Sequence, residues 1–321
     1  MAIHRLLRPR VRASTDDLSA NLIPVADDDI TACFVERRGR LFASQTRCIY
    51  PLPVDGWEQT RQIELHWILR PITLAKSAEK LRHALVDGRS DEQQVRVLDV
   101  GTGTGHWVLD LAKEFPDVAF YGLDFVPIAT RYPPPNVMFQ VHDFTEEMPY
   151  PPESFDLVHA RLVSLGIADM EAFVAETTRI LRPGGLLLTC EWSRTISTND
   201  GSEVSMRAPR ACAFLNCLRD LLQARGVVHP SDAMILDRRL TAVESAVFQF
   251  PIGGWPEDPE WKAIGLRYLY TLTEYARSLV SFLEEELPVD AVQGLIEGFL
   301  QDIHGKDSLV STYISVHAVR L

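Results

Sequence analysis

Residues 97–105 read VLDVGTGTG, a short apolar run leading straight into three glycines spaced two apart. The run begins earlier, as VRVLDV at 95–100, and has the length and composition of a buried strand. Glycines at 101, 103 and 105 let the backbone turn tightly and approach a ligand closely, because no Cβ intrudes. HWVLDLAKEF (106–115) then carries a helical period that Pro116 and Asp117 end. Working outward, VAFYGLD (118–124), NVMFQVHD (136–143), SFDLVHAR (154–161) and LLLTCEW (186–192) are further strands. MEAFVAETTRIL (170–181) is a helix closed by an RPGG turn. Near-continuous apolar strands alternating with helices predict an α/β chain with a parallel sheet covered on both faces.

Open parallel sheets bind ligands at the carboxyl ends of their strands, where the glycine turn sits. A dinucleotide fingerprint wants glycine at 106, and His106 stands there; a phosphate loop wants a Gly-Lys-Ser/Thr that is missing. Asp99, just before the turn, is suited to accept from turn amides or from a ligand's ammonium group. Asp124, at the end of the second strand, is placed to take both hydroxyls of a ribose in a charge-assisted pair. Asp143 follows the third strand and suits either an adenine amino group or a loop cap, and Phe144 offers its backbone N–H beside it.

The rest of the composition narrows the field. With 321 residues the chain has room for about two domains, or one with a cap. A net charge of −12 disfavours a partner gripped by its phosphates and a surface held on anionic lipid. Cys33, Cys48, Cys190, Cys212 and Cys217 are odd in number and hold no CxxC pair, so reduced thiols in an intracellular, cytoplasmic setting are expected and a zinc site is not. The basic start, MAIHRLLRPRVRAS, lacks the apolar core of a signal peptide. A mitochondrial presequence is the other reading of its arginines, with Asp16 and Asp17 against it. No apolar run is long enough to span a bilayer.

Taken together, VLDVGTGTG, the GLD ending at Asp124, VHDFTEEMPYPPESFDLVHAR (141–161) and LRPGG (181–185) resemble class I S-adenosylmethionine-dependent methyltransferases. That likeness covers about residues 95–192. GTGTGHWVLDLAKEFPDVAFYGLD, FDLVHAR and the late FPIGGWPEDPEWKAIG (250–265) resemble, more narrowly, the fungal LaeA-like group of small-molecule methyltransferases, from about residue 58 onward. The resemblance implies a Rossmann-like seven-stranded sheet whose last strand, here 309–319, lies antiparallel between strands five and six. It implies S-adenosylmethionine as cofactor, with Asp99, Gly101, Thr102, Gly103 and Gly105 around the methionine part. Asp124 and Phe125 would take the ribose side, Asp143 and Phe144 the adenine, and Trp107, His159 and Arg161 would complete the site. His106 departs from the aliphatic residue usual there.

The expected organisation is an irregular arm (1–57) with a strand pair about Gly39, a helical lid segment (58–92) broken near Pro71, and a methyltransferase core (93–256). A helical cap (257–306) and a final core strand (307–321) follow. Methyl transfer to a small hydrophobic acceptor, at a hydroxyl or carboxyl oxygen, is the expected activity. Candidate proton acceptors are His159, His66 and Glu191; His106, His229 and His304 rank lower. Trp192, Trp255, Tyr268, His304 and Tyr313 are candidates for the acceptor pocket, within a set of cap aromatics that also includes Trp261, Tyr270 and Tyr275 and that suits core packing equally well. A regulatory protein that binds the cofactor without turnover, a cyclase on the same fold, methylation of a basic peptide and an NAD oxidoreductase are the competing readings. The chain is expected as a monomer or homodimer with neither nucleic-acid nor metal partners.

Overall fold

Burial sorts the strands. The strand β3 (Arg96–Val100) exposes none of its last four residues, as expected of a strand with helices on both sides. The helix α2 (His106–Glu114) sets Trp107, Val108, Leu111 and Ala112 on one buried face. The computed structural model describes residues 27–44, 49–82, 85, 94–227, 237–305 and 308–321. Cys48, His229 and the basic N-terminal stretch lie outside the described residues.

Among the described residues a 3-10 helix (Asp27–Cys33) leads into a two-stranded ribbon, β1 (Phe34–Arg37) and β2 (Arg40–Ala43), turning at Arg38 and Gly39 with positive φ. The long helix α1 (Gly56–Arg82) follows. After β3 and α2 come β4 (Ala119–Asp124), β5 (Val137–Val141), β6 (Phe155–Arg161), α3 (Met170–Ile180) and β7 (Leu181–Thr198). Next are α4 (Pro209–Ala224), β8 (Leu240–Pro251), α5 (Pro259–Ser278), α6 (Val289–Ile303) and β9 (Leu309–Arg320).

The seven-stranded sheet has the order β5-β4-β3-β6-β7-β9-β8. Its first five strands are parallel, and β9 runs antiparallel to both β7 and β8. The expected Rossmann-like methyltransferase sheet is therefore present, with its last strand in the expected slot. Helix starts follow local chemistry: Asp169 accepts from the Ala172 N–H to cap α3, and Asp258 accepts from Glu260 and Trp261 to cap α5, ahead of Pro259. No helix among the described residues is long and apolar enough to cross a membrane.

Two local expectations are corrected. The helix α1 runs through Pro71 without a break; an interior proline removes one hydrogen bond and crowds one carbonyl, which bends a long helix more readily than it ends one. The RPGG stretch lies within β7, which begins at Leu181. Gly184, with φ of 78°, absorbs a register shift against β6 between Phe155 and Leu157.

Candidate active site

The turn after β3 is built by backbone demands. The Thr102 N–H donates to the Leu123 carbonyl at 3.0 Å, and Gly105 closes on the Thr102 carbonyl at 2.9 Å. Gly101 and Gly105 have φ of 67° and 77°, and a Cβ on either would lie 2.5 Å from Val163 Cγ1 or Phe139 Cζ. Glycine is thus required twice over, by conformation and by space.

Neighbouring strands bring carboxylates to this turn. Asp99 on β3 pairs in register with His159 on β6, and His159 Nδ1 lies 2.7 Å from Asp99 Oδ1. Thr102 Oγ1 donates to the other Asp99 oxygen at 2.8 Å. Trp107 stacks flat on the His159 ring, centroids 3.8 Å apart. Burial, outweighing Asp99, holds the His159 pKa below the usual imidazole value. The neutral form that burial favours, with Nδ1 donating to Asp99, leaves Nε2 as a buried acceptor with no partner among the described residues. Asp124 accepts from the Gly103 N–H at 2.7 Å and the Val126 N–H at 3.3 Å. Burial pushes its carboxyl up to about 6.

A second chain of polar groups crosses from β6 to the helices. Arg161 Nη2 donates to His66 Nδ1 at 3.0 Å, His66 Nε2 meets Asp110 Oδ2 at 3.0 Å, and Arg70 Nε donates to the same oxygen at 2.9 Å. Burial, and then the Arg161 charge, draw His66 down to about 4, so both of its nitrogens are engaged in the neutral form. Arg161 keeps Nη1 buried and without a partner among the described residues.

Residues from both groups line a cavity of about 980 Å³, its open mouth included. Asp99, Gly101, Thr102, Gly103, Trp107, Asp124, Phe125, Phe144, His159, Arg161 and His66 all face it. Phe125 and Phe144 lie against each other, centroids 4.0 Å apart. Its two unpartnered buried atoms are an acceptor on His159 and a donor on Arg161, the complement of an amino acid's ammonium and carboxylate. With Asp124 ready for a ribose, the residues fit an adenosyl amino acid.

A second cavity, of about 490 Å³, adjoins the first and shares Tyr50, Arg61, Leu65 and Leu162 with it. Its other walls include Trp192 on β7, Tyr313 on β9 and Tyr268, Thr271 and Tyr275 on α5. Arg61 is bound bidentately by the buried Glu58, at 3.0 and 2.9 Å from Nε. Glu191 also borders it, with its carboxylate held by the protein: Val163 N–H, Ser164 N–H and Ser164 Oγ donate to it at 2.8, 3.2 and 2.7 Å.

Several residues singled out from the sequence are placed elsewhere. Asp143 lies outside both linings, its Oδ1 capping Thr145 N–H and Oγ1 at 2.9 and 2.6 Å. Trp255 is pinned through Nε1 to the Leu309 carbonyl at 3.0 Å and faces neither cavity. His304 is exposed at the end of α6 and bonds Thr273 Oγ1 at 2.9 Å, also outside both. Gly105 shapes the turn without lining the cavity, and Trp261 and Tyr270 are largely exposed. Reasoning from sequence missed Tyr50, Arg61 and Asp110. The Glu58–Arg61 and His66–Arg70 spacings, one helical turn each, were the available signal.

Comparison with known proteins agrees with this geometry. The family profile described as "Methyltransferase domain" matches residues 91–221. The match covers less than half of the chain. The chain resembles the LaeA-like group: "Secondary metabolism regulator laeA" of Coprinopsis cinerea is 38% identical over 154 residues, 47% of this chain and 38% of that protein. This match thus spans well under half of the length of that relative. "Methyltransferase str2" of Strobilurus tenacellus is 28% identical over 67% of this chain and 78% of that one. Among solved structures, a Haemonchus contortus phosphoethanolamine N-methyltransferase 2 in complex with S-adenosyl-L-methionine aligns with 18% identity and a TM-score of 0.46, covering 87% of this chain and 61% of that chain. The matched stretch, β3 to α4, carries the glycine turn, Asp124, His159 and Arg161; α1, α5, β9 and the residues Ala43, Tyr50, Leu52 and Val54 ahead of α1 supply the rest of both cavities.

Proposed function

We propose that the protein transfers the methyl group of S-adenosylmethionine to a hydroxyl or carboxyl oxygen of a small apolar acceptor. The observation that carries this reading is the meeting of the two cavities at Tyr50, Arg61, Leu65 and Leu162, one side polar and fit for an adenosyl amino acid, the other walled by aromatic rings. Bound S-adenosylmethionine supplies a methyl group already activated by a positive sulfur. What the protein must add is alignment and the exclusion of water.

In this reading His159 Nε2 accepts from the ammonium of the methionine part and Arg161 Nη1 donates to its carboxylate. The Gly101–Gly105 turn gives the backbone room to approach, with Thr102 tying Asp99 in place. Asp124 accepts from the ribose hydroxyls, and Phe125 and Phe144 enclose the base. Trp107 holds the His159 ring by stacking, and the His66–Asp110 pair holds Arg161. Asp143 is left to its loop. Trp192, Tyr268 and Tyr313 wall the acceptor side. His66 has both nitrogens engaged, the Glu191 carboxylate is turned to Val163 and Ser164, and His159 Nε2 is assigned to the cofactor.

A cofactor-binding regulator without turnover is the second reading, supported by the regulator name of the Coprinopsis relative. Calorimetry with S-adenosylhomocysteine tests the cofactor site, and incubation with methyl-labelled S-adenosylmethionine plus a panel of aromatic acids and phenols tests transfer. Label in an extractable product is expected. Cofactor binding with no labelled product across the panel would favour the regulator. Label on an added basic peptide would move the acceptor to protein, and conversion of a panel compound with the label kept on the cofactor would indicate a cyclase.

A further inference from the structure

Apart from Tyr50 at the boundary with the first cavity, the polar aromatic side chains of the second cavity divide into two kinds. Tyr268 Oη bonds Ser311 Oγ at 2.8 Å and meets Tyr313 Oη at 3.2 Å, so those two hydroxyls satisfy one another within the protein. Trp192 and Tyr275 do not. Trp192 is 7% exposed and Tyr275 4%, both border the cavity, and neither Trp192 Nε1 nor Tyr275 Oη has a hydrogen-bond partner among the described residues. Their rings meet edge to face with centroids 5.2 Å apart, so the two groups belong to one small region. Arg61 lies over the Tyr275 ring, 5.6 Å from its centroid, which ties this region to the boundary shared with the cofactor cavity.

An indole N–H only donates. Burial pushes the Tyr275 hydroxyl up to about 12, so it too keeps its proton and has it to give. Buried donors are nearly always paired in a working protein, and what pairs them must be an acceptor. The nearby formal charges come as opposed pairs: Glu58 holds Arg61, and Arg194 Nη1 donates to Ser164 Oγ at 3.0 Å, the hydroxyl that donates to Glu191. The surroundings thus do not call for a cation or a strongly charged group.

Resting on the methyl-transfer reading, we propose that Trp192 and Tyr275 form a two-donor subsite for a carbonyl-type oxygen, that of a ketone, ester or carboxyl, carried on a flat apolar acceptor. The rings of the cavity take the acceptor's body, and the two donors select its orientation. A pocket that hydrogen-bonds a substrate group rejects an analogue lacking it, because its own buried groups are then left unpaired.

The test uses the full chain loaded with S-adenosylhomocysteine and two probes of the same shape, 2-acetonaphthone and 2-isopropenylnaphthalene, which differ only in C=O against C=CH2. Equilibrium dialysis is expected to show the ketone bound about tenfold more tightly. Trp192→Phe and Tyr275→Phe should each reduce that preference by about threefold, and the double variant should bring it to parity while S-adenosylhomocysteine still binds. Equal binding of the two probes to the natural protein, no binding of either, or a preference untouched by both substitutions would each overturn the subsite. Loss of S-adenosylhomocysteine binding by the natural protein would instead strike the cofactor reading.

Discussion

Replacing Asp124 by Asn should stabilise the protein without ligand and weaken the cofactor at the same time, each with its own pH signature. Burial raises this carboxyl from 3.8 to about 6, against the pull of the Gly103 and Val126 amides. The folded state therefore holds a proton that the unfolded chain has already released, so stability contributed here falls as pH rises from 3.8 through 6. At 1.36 kcal/mol per pH unit the full difference is about 3 kcal/mol above pH 7. Between pH 5 and 7.5 it grows by about 1.4 kcal/mol. The amide loses one acceptor oxygen, which costs about 1 kcal/mol independent of pH. The stability difference, Asn variant minus natural protein, should rise by that 1.4 kcal/mol in urea unfolding at the two pH values. His66 slopes the other way, its folded value of about 4 lying below the unfolded 6.5, and it cancels in the difference. Calorimetry of S-adenosylhomocysteine completes the assay. The natural protein should bind about tenfold more weakly at pH 5 than at pH 7, where the carboxylate is available to the ribose, and the variant should bind weakly and evenly. A stability difference flat across this range would refute the assigned burial of Asp124, and a flat natural affinity would refute its role toward the ribose.

Gly105→Ala meets Phe139 and a left-handed backbone together, and is expected to lower stability by about 2 kcal/mol and abolish S-adenosylhomocysteine binding; normal binding in calorimetry would contradict the turn geometry. Glu191→Ala should cost about 3 kcal/mol in denaturant unfolding, because Val163 and Ser164 lose the acceptor of three buried donors. A turnover loss at unchanged stability would instead make Glu191 a proton carrier. His66→Phe should leave the midpoint of any pH–rate profile above pH 5 in place, since His66 is already neutral there. It should still lower Tm by separating Arg161 from α2; a midpoint that moves would return His66 to the list of bases.

The site was legible where the chemistry is local. The strand–glycine–helix unit declares itself because a turn with positive φ at Gly101, Gly103 and Gly105 must be written in glycine, and Asp124 follows from its place at a strand end. The antiparallel β9 could be anticipated through the family likeness, not through the alternation of LVSTYISVHAVRL alone. Asp143 read equally well as ligand or loop cap, and only the placing of Thr145 separates the two. Trp255 and His304 belong to the cap aromatics and histidines by composition, but their directions are set by Leu309 and Thr273, 54 and 31 residues away. Arg61 was hidden for the same reason: its pairing with Glu58 is visible in the spacing, while its position between the cavities depends on α1 packing against α5.

The placing of β9 between β7 and β8 orders the birth of the two cavities in time. Strands β3 to β6, with the glycine turn and Asp124, leave the ribosome well before residues 309–320, so the polar cradle has its strands while the aromatic chamber still lacks Tyr313 and Ser311. Until β9 arrives, β7 presents an open edge and β8 has nothing to pair with. A chain halted in that interval exposes a sticky ribbon to its neighbours. Chaperone demand during translation should therefore peak late, over the stretch between β8 and β9.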